Sequence, residues 1–317
     1  MKILVTGAAG FIGSSLCKKL IHDNNIVVGV DSFEDYYEKW IKDKNINEII
    51  KNQNFKLINK NLIDPDLDLD KLLTEIDVVF HLAGQGGVRS SWGKEFEIYL
   101  NNNILSTQML LEASKNSNIK KFIYASSSSV YGDTKDFPLN EVNSFTRPVS
   151  PYGVTKLAAE NLCYLYYKNF NMPSVMLRYF TVYGEGQRPD MAFHKFIKSA
   201  LEGLPIEIYG DGSQMRDFTY IGDIIDATLL SINAPSGRIY NVGGGNKCSL
   251  EQAINVIENI TNLKLKRLYS NFQKGDVYKT EADLRSIKSE LGFNPRFTLE
   301  EGLSNEIEYI KMLYNID

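Results

Sequence analysis

The most constraining stretch of this sequence is Thr6-Gly7-Ala8-Ala9-Gly10-Phe11-Ile12-Gly13, which joins an apolar run, Lys2–Thr6, to a helical pattern over residues 10–22. Glycines at this spacing answer three needs. Gly7 permits a tight turn, Gly10 lets backbone approach a diphosphate, and Gly13 lets the helix pack close to the strand. The helix N-terminus then presents free N–H groups and a positive dipole end to an anion. The spacing is G-x-x-G-x-x-G rather than the commoner G-x-G-x-x-G. A second apolar run, over residues 25–31, ends on Asp31. A carboxylate there accepts from ribose hydroxyls and repels a 2′-phosphate, which favours NAD over NADP. Strand, glycines, helix and acid fall in register, which outweighs the alternative of a plain glycine turn beside a surface acid.

Further apolar runs at 55–59, 77–82, 121–126 and 174–179 alternate with helical patterns at 101–114 and 151–169. This alternation implies an α/β fold, a doubly wound parallel sheet of the Rossmann type with helices on both faces. Residues 34–54 are charged and helix-like, an insertion after the second strand. Beyond Tyr183 glycine and proline become frequent. Short strands are expected there at 206–209, 217–220, 238–242 and 264–269, with helical patterns at 249–261, 283–291 and 299–314. The expected division is a dinucleotide-binding domain over 1–180 and a smaller mixed α/β substrate domain over 181–317, part of 206–245 returning to the first. A chain of 317 residues that is 43% hydrophobic can bury cores of that size.

Thirty-five basic side chains against 39 acidic ones leave a net charge of -4, which argues against a nucleic-acid binder or a membrane-surface protein. No apolar run approaches the ~20 residues of a membrane span. Cys17, Cys163 and Cys248 are scattered and odd in number, so the expected setting is a reduced cytoplasm. His22, His81 and His194 show no metal spacing, and no metal is expected.

Ser150-Pro151-Tyr152-Gly153-Val154-Thr155-Lys156 opens the helical pattern at 151 and puts Tyr152 and Lys156 on one helix face. An ammonium beside a phenol favours the phenolate, and such a phenol can act as general base on a sugar hydroxyl. Upstream, the run at 121–126 leads into Ser126-Ser127-Ser128-Ser129-Val130-Tyr131-Gly132, which sets hydroxyls at the C-terminal sheet edge where open α/β folds bind ligands.

In order, Gly7, Gly10, Gly13, Asp31, Asp64, His81-Leu82-Ala83-Gly84, Asn103, the serine run, Tyr152 and Lys156 resemble the extended short-chain dehydrogenase/reductase superfamily, in its nucleotide-sugar epimerase and dehydratase branch. The resemblance spans essentially the whole chain. It implies NAD pyrophosphate at Gly7, Ala9, Gly10, Phe11, Ile12 and Gly13, adenosine ribose at Asp31, and adenine at Leu62, Ile63 and Asp64. Leu82, Ala83, Gly84 and Asn103 would line the cofactor further along, Lys156 would bond the nicotinamide ribose, Tyr152 would be the base, and Ser127 would be its hydroxyl partner at the sugar O4.

Similar dehydratases carry Asp-Glu, and similar decarboxylases Glu, immediately before the Val-Tyr-Gly. Here Ser128 and Ser129 stand there, and neither donates a proton usefully at neutral pH. Epimerisation remains. Gly87-Val88-Arg89-Ser90-Ser91-Trp92, Arg178-Tyr179-Phe180-Thr181 and Gln187-Arg188-Pro189-Asp190 look most like bacterial UDP-glucuronate 4-epimerases. On that resemblance Ser128, Ser129, Thr181 and Arg188 are candidates to hold a C6 carboxylate. Arg188 equally suits a phosphate or a structural ion pair. Arg89, Ile208, Tyr209, Arg216 and Asp276 would meet the UDP moiety, although Gln273-Lys274 replaces an arginine of many relatives. Thr280 is small, so UDP-glucose and UDP-N-acetylglucosamine stay open as substrates. The resemblance also implies a homodimer through a four-helix bundle built on the patterns at 101–114 and 157–169.

Overall fold

The computed structural model describes residues 1–316. Seven strands form one sheet: Lys2–Thr6 (β1), Ile26–Asp31 (β2), Phe55–Asn59 (β3), Val78–His81 (β4), Lys121–Ser127 (β5), Ser174–Tyr179 (β6) and, much later in the chain, Ile239–Val242 (β10). Their order is β10-β6-β5-β4-β1-β2-β3 and every neighbouring pair is parallel. The central strands are near-continuous apolar runs, and β5 and β6 are buried at every residue, as strands covered on both faces must be. The chain winds from β1 outward to β3 and then restarts at β4 on the other side of β1. That reversal opens a crevice at the carboxyl ends of β1 and β4, where doubly wound sheets bind ligands.

The helices that matter for this crevice are Phe11–His22 (α1), Lys39–Ile46 (α2), Leu69–Leu73 (α3), Phe96–Tyr99 (α4), Ser106–Ser114 (α5) and Pro151–Phe170 (α6). Only α2 and flanking turns occupy the insertion read as helix-like over 34–54. The helix expected at 101–114 begins earlier, at Phe96, and widens into a π-helical turn over Leu100–Leu105 before α5. Such a turn shifts side chains off the regular helical register, and π-turns concentrate at functional sites. Here it carries Asn103.

Beyond β6 the chain leaves the large sheet. Val182–Tyr183 (β7), Met215–Tyr220 (β9) and Asn246–Ser249 (β11) form a small sheet in the order β11-β9-β7, while Ile206–Tyr209 (β8) pairs in parallel with Arg267–Ser270 (β12). Ala192–Leu201 (α7), Leu250–Thr261 (α9) and Leu299–Tyr314 (α11) pack together, and Arg285–Leu291 (α10) lies against β10. Capping boxes begin α9 (Ser249 with Gln252) and α11 (Thr298 with Glu301), each satisfying two N-terminal donors. Ile221–Leu230 (α8) turns back, packs on α1 and feeds β10. Neither α7 nor α8 was expected. Ile-Gly-Asp-Ile-Ile-Asp-Ala-Thr-Leu-Leu in α8 is apolar almost all round because it is covered on several sides, so it shows no clean amphipathic stripe. A single apolar cluster runs from Ile3 and Val5 through Tyr183 and Phe193 to Ile307 and Ile310. The large sheet, the small sheet and β8 therefore share a core.

Candidate active site

The turn between β1 and α1 is tight at Gly7 and Gly13. Gly7 sits at φ +70, and a Cβ on Gly13 would overlap the Gly7 carbonyl oxygen. Gly10 caps α1 without any side-chain acceptor, so its first N–H groups stay available for an anion. Asp31, at the end of β2, is fixed by two backbone donors: Ala9 N–H to Oδ2 at 2.9 Å and Phe33 N–H to Oδ1 at 2.8 Å. Around these residues lies a cleft. Gly7, Gly10, Phe11, Ile12, Gly13, Asp31, Leu62, Leu82, Ala83 and Gly84 all line it. The residues present thus fit NAD: a cradle that a Cβ would fill, a free helix N-terminus and a carboxylate at the far end.

Other expected cofactor residues stand just behind the wall. Ala9 is fully buried and its N–H is already spent on Asp31. Asp64 accepts from Asn61 N–H at 2.8 Å, and Ile63 N–H donates to Asn61 Oδ1, so both shape the turn that presents Leu62. Asn103, reaching out of the π-turn, clamps Gln85 through N–H to Oδ1 at 2.6 Å and Nδ2 to carbonyl at 3.0 Å, and bonds Thr155 on α6 at 2.9 Å. His81 lies between two hydroxyls, Thr6 at 2.7 Å and Thr107 at 2.9 Å, rather than on backbone. Burial, with the Lys156 charge, pulls it down to about 3, so it is a neutral strut beneath the loop.

Helix α6 begins with Pro151 behind the Ser150 cap, whose hydroxyl accepts from Gly153 N–H at 3.1 Å. This cap fixes where Tyr152 and Lys156 point. Lys156 is 7% exposed, its Nζ lies 4.6 Å from the centre of the Tyr124 ring, and a Cβ on Gly84 would stand 3.8 Å from it. Burial draws the ammonium down to about 8. Tyr152 sits edge-on to Tyr99, ring centres 6.3 Å apart. The phenol was expected to be lowered by Lys156. Instead burial raises it, opposed by the Ser127 hydroxyl and the charge of Arg188. The reason is that both groups of the pair are desolvated, and the ammonium rests on the Tyr124 face. Ser127 ends β5, and its Oγ also accepts from Ser129 N–H at 3.1 Å.

A second pocket of about 590 Å³ is lined by Ser128, Ser129, Ser150, Thr181, Arg216, Asp276 and Thr280, among others. Ser150 belongs to this pocket and Lys156 lies beside Gly84 of the first, so the start of α6 carries residues to both. Arg216 is held by the carbonyls of Met215 at 2.8 Å and Val277 at 2.7 Å. Arg89 bonds Asp276 at 2.6 Å and stacks 4.1 Å over Tyr209. Ile208, expected against the base, is fully buried in the core, because alternate residues of β8 face opposite sides. Arg188 parts company with the other carboxylate candidates. It lines the dinucleotide cleft, forks onto Asp190 at 2.9 and 3.0 Å and lies against Gly86.

Lys42, Tyr36, Tyr37 and Gln85 line the cleft without any sequence motif to announce them. Beneath the serine edge, Glu160 on α6 takes a bidentate bond from Arg178 (3.0 and 2.6 Å) and a third from Ser126, a wholly buried ion pair that ties α6 to β5 and β6. No cluster of metal-ligating side chains occurs among the described residues, and none of their helices is long and apolar enough to cross a membrane.

Residues 3–243 match the NAD dependent epimerase/dehydratase family. An uncharacterized UDP-glucose epimerase, YtcB, of Bacillus subtilis is 44% identical over 317 residues, 99% of either chain. The UDP-glucuronate 4-epimerase of Thermodesulfobacterium geofontis is 40% identical over 312 residues, 97% of this chain and 95% of that one. The solved UDP-glucuronic acid 4-epimerase of Bacillus cereus, in complex with UDP-glucuronic acid and NAD, is 46% identical with a TM-score of 0.96, covering 99% of this chain and 100% of that one.

Proposed function

This chain belongs to the NAD dependent epimerase/dehydratase family, and from that membership we propose that it is an isomerase that inverts C4 of a UDP-sugar with NAD as cofactor, converting UDP-glucuronate to UDP-galacturonate. The observation that carries the reading is the start of α6. Its opening turns reach both the dinucleotide cleft and a hydroxyl-lined pocket and set Tyr152 by Ser127, with no carboxylic acid at Ser128 or Ser129.

Bound in the cleft, NAD supplies reversible acceptance of the C4 hydride. The chain does the rest. Tyr152 Oη takes the O4 proton as general base and returns it as general acid, with Ser127 Oγ bonded to the same oxygen. Lys156 holds the nicotinamide ribose. Arg188, kept in place by Asp190, lends its charge to the phenolate rather than to the sugar. Hydroxyls of Ser128, Ser129 and Thr181 hold the C6 carboxylate. A 4-keto uronic acid loses CO2 only when its C5–C6 bond aligns with the carbonyl π system, so a pinned carboxylate suppresses that loss while the ketone turns over. Arg216, Arg89, Tyr209 and Asp276 receive the UDP. Residues 1–180, with α8 and β10, make up the dinucleotide-binding domain of this reading, and the remainder of 181–317 its substrate domain.

Leu105, Val154, Leu165 and Phe170 are exposed on the helices around α5 and α6, which supports a homodimer through a four-helix bundle. The three unpaired cysteines support a cytoplasmic setting, and a uronate product suits polysaccharide biosynthesis. Thr280, small and lining the sugar pocket, favours UDP-N-acetylglucosamine as the second reading.

The test is proton NMR of UDP-glucuronate with the purified enzyme in D2O. UDP-galacturonate should appear with protium retained at C4, without NADH accumulating and without a UDP-pentose. Release of the pentose at the epimerisation rate would remove the pinned-carboxylate argument. Conversion of UDP-N-acetylglucosamine or UDP-glucose alone would keep the reaction and change the sugar.

A further inference from the structure

Tyr152, Lys156 and Glu160 recur at every fourth residue of α6, so the three share one helix face. The Glu160 carboxylate is 1% exposed and accepts from two strands. Arg178 of β6 forks onto it, Nε to Oε2 at 3.0 Å and Nη2 to Oε1 at 2.6 Å, and the Ser126 hydroxyl of β5 donates to Oε2 at 2.6 Å. Ser126 and Arg178 are register partners across β5 and β6. The next residue of β5 is Ser127, the hydroxyl partner of Tyr152. The strand that presents Ser127 and the helix that presents Tyr152 are thus joined at one buried side chain. The Arg178 guanidinium lies 4.7 Å from the centre of the Tyr131 ring and leaves Nη1 without a partner. An ion pair this dry adds little stability over apolar packing of the same volume, because desolvation offsets the Coulomb attraction. What the fork does supply is direction, since a planar guanidinium on a carboxylate favours one orientation and one separation.

We propose that Glu160 is a positioning residue for the hydride-transfer step: its fork with Arg178 and its bond from Ser126 set the register of α6 on β5, and with it the placement of the Tyr152 hydroxyl against Ser127 and the sugar O4. The proposal rests on the reading of Tyr152 as the general base. A small slide of α6 along the sheet would leave most binding contacts in place. The glycine turn lies between β1 and α1, Asp31 ends β2, Arg216 stands on β9 and Asp276 follows β12, so of the cofactor and UDP residues named above only Lys156 and Tyr152 ride on α6. The same slide would carry Tyr152 Oη off the line of the O4 proton, and a displacement of about 1 Å at a reacting group costs about 10²-fold in rate. The loss therefore falls on kcat rather than on binding.

The experiment is steady-state kinetics with the UDP-sugar that wild type converts, UDP-glucuronate as proposed above, carrying protium or deuterium at C4. The proteins are wild type, Ser126→Ala, Glu160→Gln and the double variant Glu160→Met/Arg178→Met, each with a thermal melt. Glu160→Gln strands a buried guanidinium and should lose both melting temperature and kcat. The double variant removes both charges, keeps both stems and should melt near wild type. Its kcat should nevertheless stay down at least about tenfold, with KM and NAD affinity within about threefold of wild type and a C4 isotope effect no smaller than the wild-type one. Ser126→Ala keeps the ion pair and should lose about fivefold in kcat. A double variant that regains kcat along with its melting temperature shows a role in fold stability only, and overturns the proposal. A raised KM at unchanged kcat overturns it too, as does an isotope effect that vanishes as kcat falls, because the slow step then lies outside hydride transfer. Where the double variant does not fold, Ser126→Ala decides, and wild-type kcat in that variant overturns the proposal. A wild type that converts no UDP-sugar overturns the reading of the site on which the proposal rests.

Discussion

Replacing Lys156 by methionine should stabilise the fold while destroying activity. The side chain is 7% exposed, and burial draws its ammonium from 10.5 to about 8. Each pKa unit is worth about 1.4 kcal/mol, so below pH 8 holding this charge in the folded chain costs about 3 kcal/mol. The Tyr124 ring beneath Nζ returns about 1 kcal/mol of that. A net gain of about 2 kcal/mol is therefore expected for Lys156→Met, which preserves the packing. The sign follows from proton counting. The folded pKa lies below the unfolded one, so between pH 8 and 10.5 the unfolded chain binds more protons, and the penalty fades as pH rises through that window. The gain should be flat from pH 6 to 8 and then shrink by about 1.4 kcal/mol per pH unit. Urea unfolding of nucleotide-free wild type and variant at pH 7 and pH 9.5 measures it, free of binding linkage. A variant no more stable at pH 7, or a gain that persists undiminished at pH 9.5, would refute a buried ammonium here.

Tyr152→Phe should lower turnover by about 10³ or more while leaving the unfolding free energy within about 0.5 kcal/mol, since it removes one general base and no packing; turnover within tenfold of wild type would displace Tyr152 as the base. Gly13→Ala should destabilise by about 3 kcal/mol and weaken NAD, because its Cβ meets the Gly7 carbonyl, whereas Gly10→Ala, whose Cβ would stand 3.3 Å from the same oxygen, should cost far less stability. Equal urea midpoints for the two glycine variants would contradict the close approach of strand and helix.

The sheet was legible because its strands obey strong local rules. Runs such as Ile-Val-Val-Gly-Val-Asp in β2 are too short and too branched for a buried helix, and glycine or polar residues bound them on both sides. Where an element is shaped by what surrounds it, the sequence was a poorer guide. α8 lacks a clean polar face because α1, β7 and β9 cover it on several sides. The π-turn at Leu100–Leu105 has no compositional mark at all: Leu-Asn-Asn-Asn-Ile-Leu becomes informative only once Asn103 is seen gripping Gln85.

The candidate site divides along the same line. Gly7, Gly13, Asp31, Tyr152 and Lys156 stand out because their roles are met within one strand–turn–helix or one helical turn, where spacing is geometry. Residues that act across the fold do not. Arg188 was grouped with Ser128, Ser129 and Thr181 by charge chemistry, yet its neighbour Asp190 forks it, Tyr36 of the insertion lies 5.5 Å under it, and both hold it in the other pocket. Nothing in Gln187-Arg188-Pro189-Asp190 announces Tyr36, which is brought there only when α2 docks on Ala9. Tyr152 shows the same limit for electrostatics. The i to i+4 spacing places it on the helix face of Lys156, but the sign of its shift depends on how dry that face becomes, and dryness is a property of α6 packed against β5, not of the motif. The motif therefore proposes an acid–base pair, but the protonation state from which such a pair would work is decided by the packed core around it.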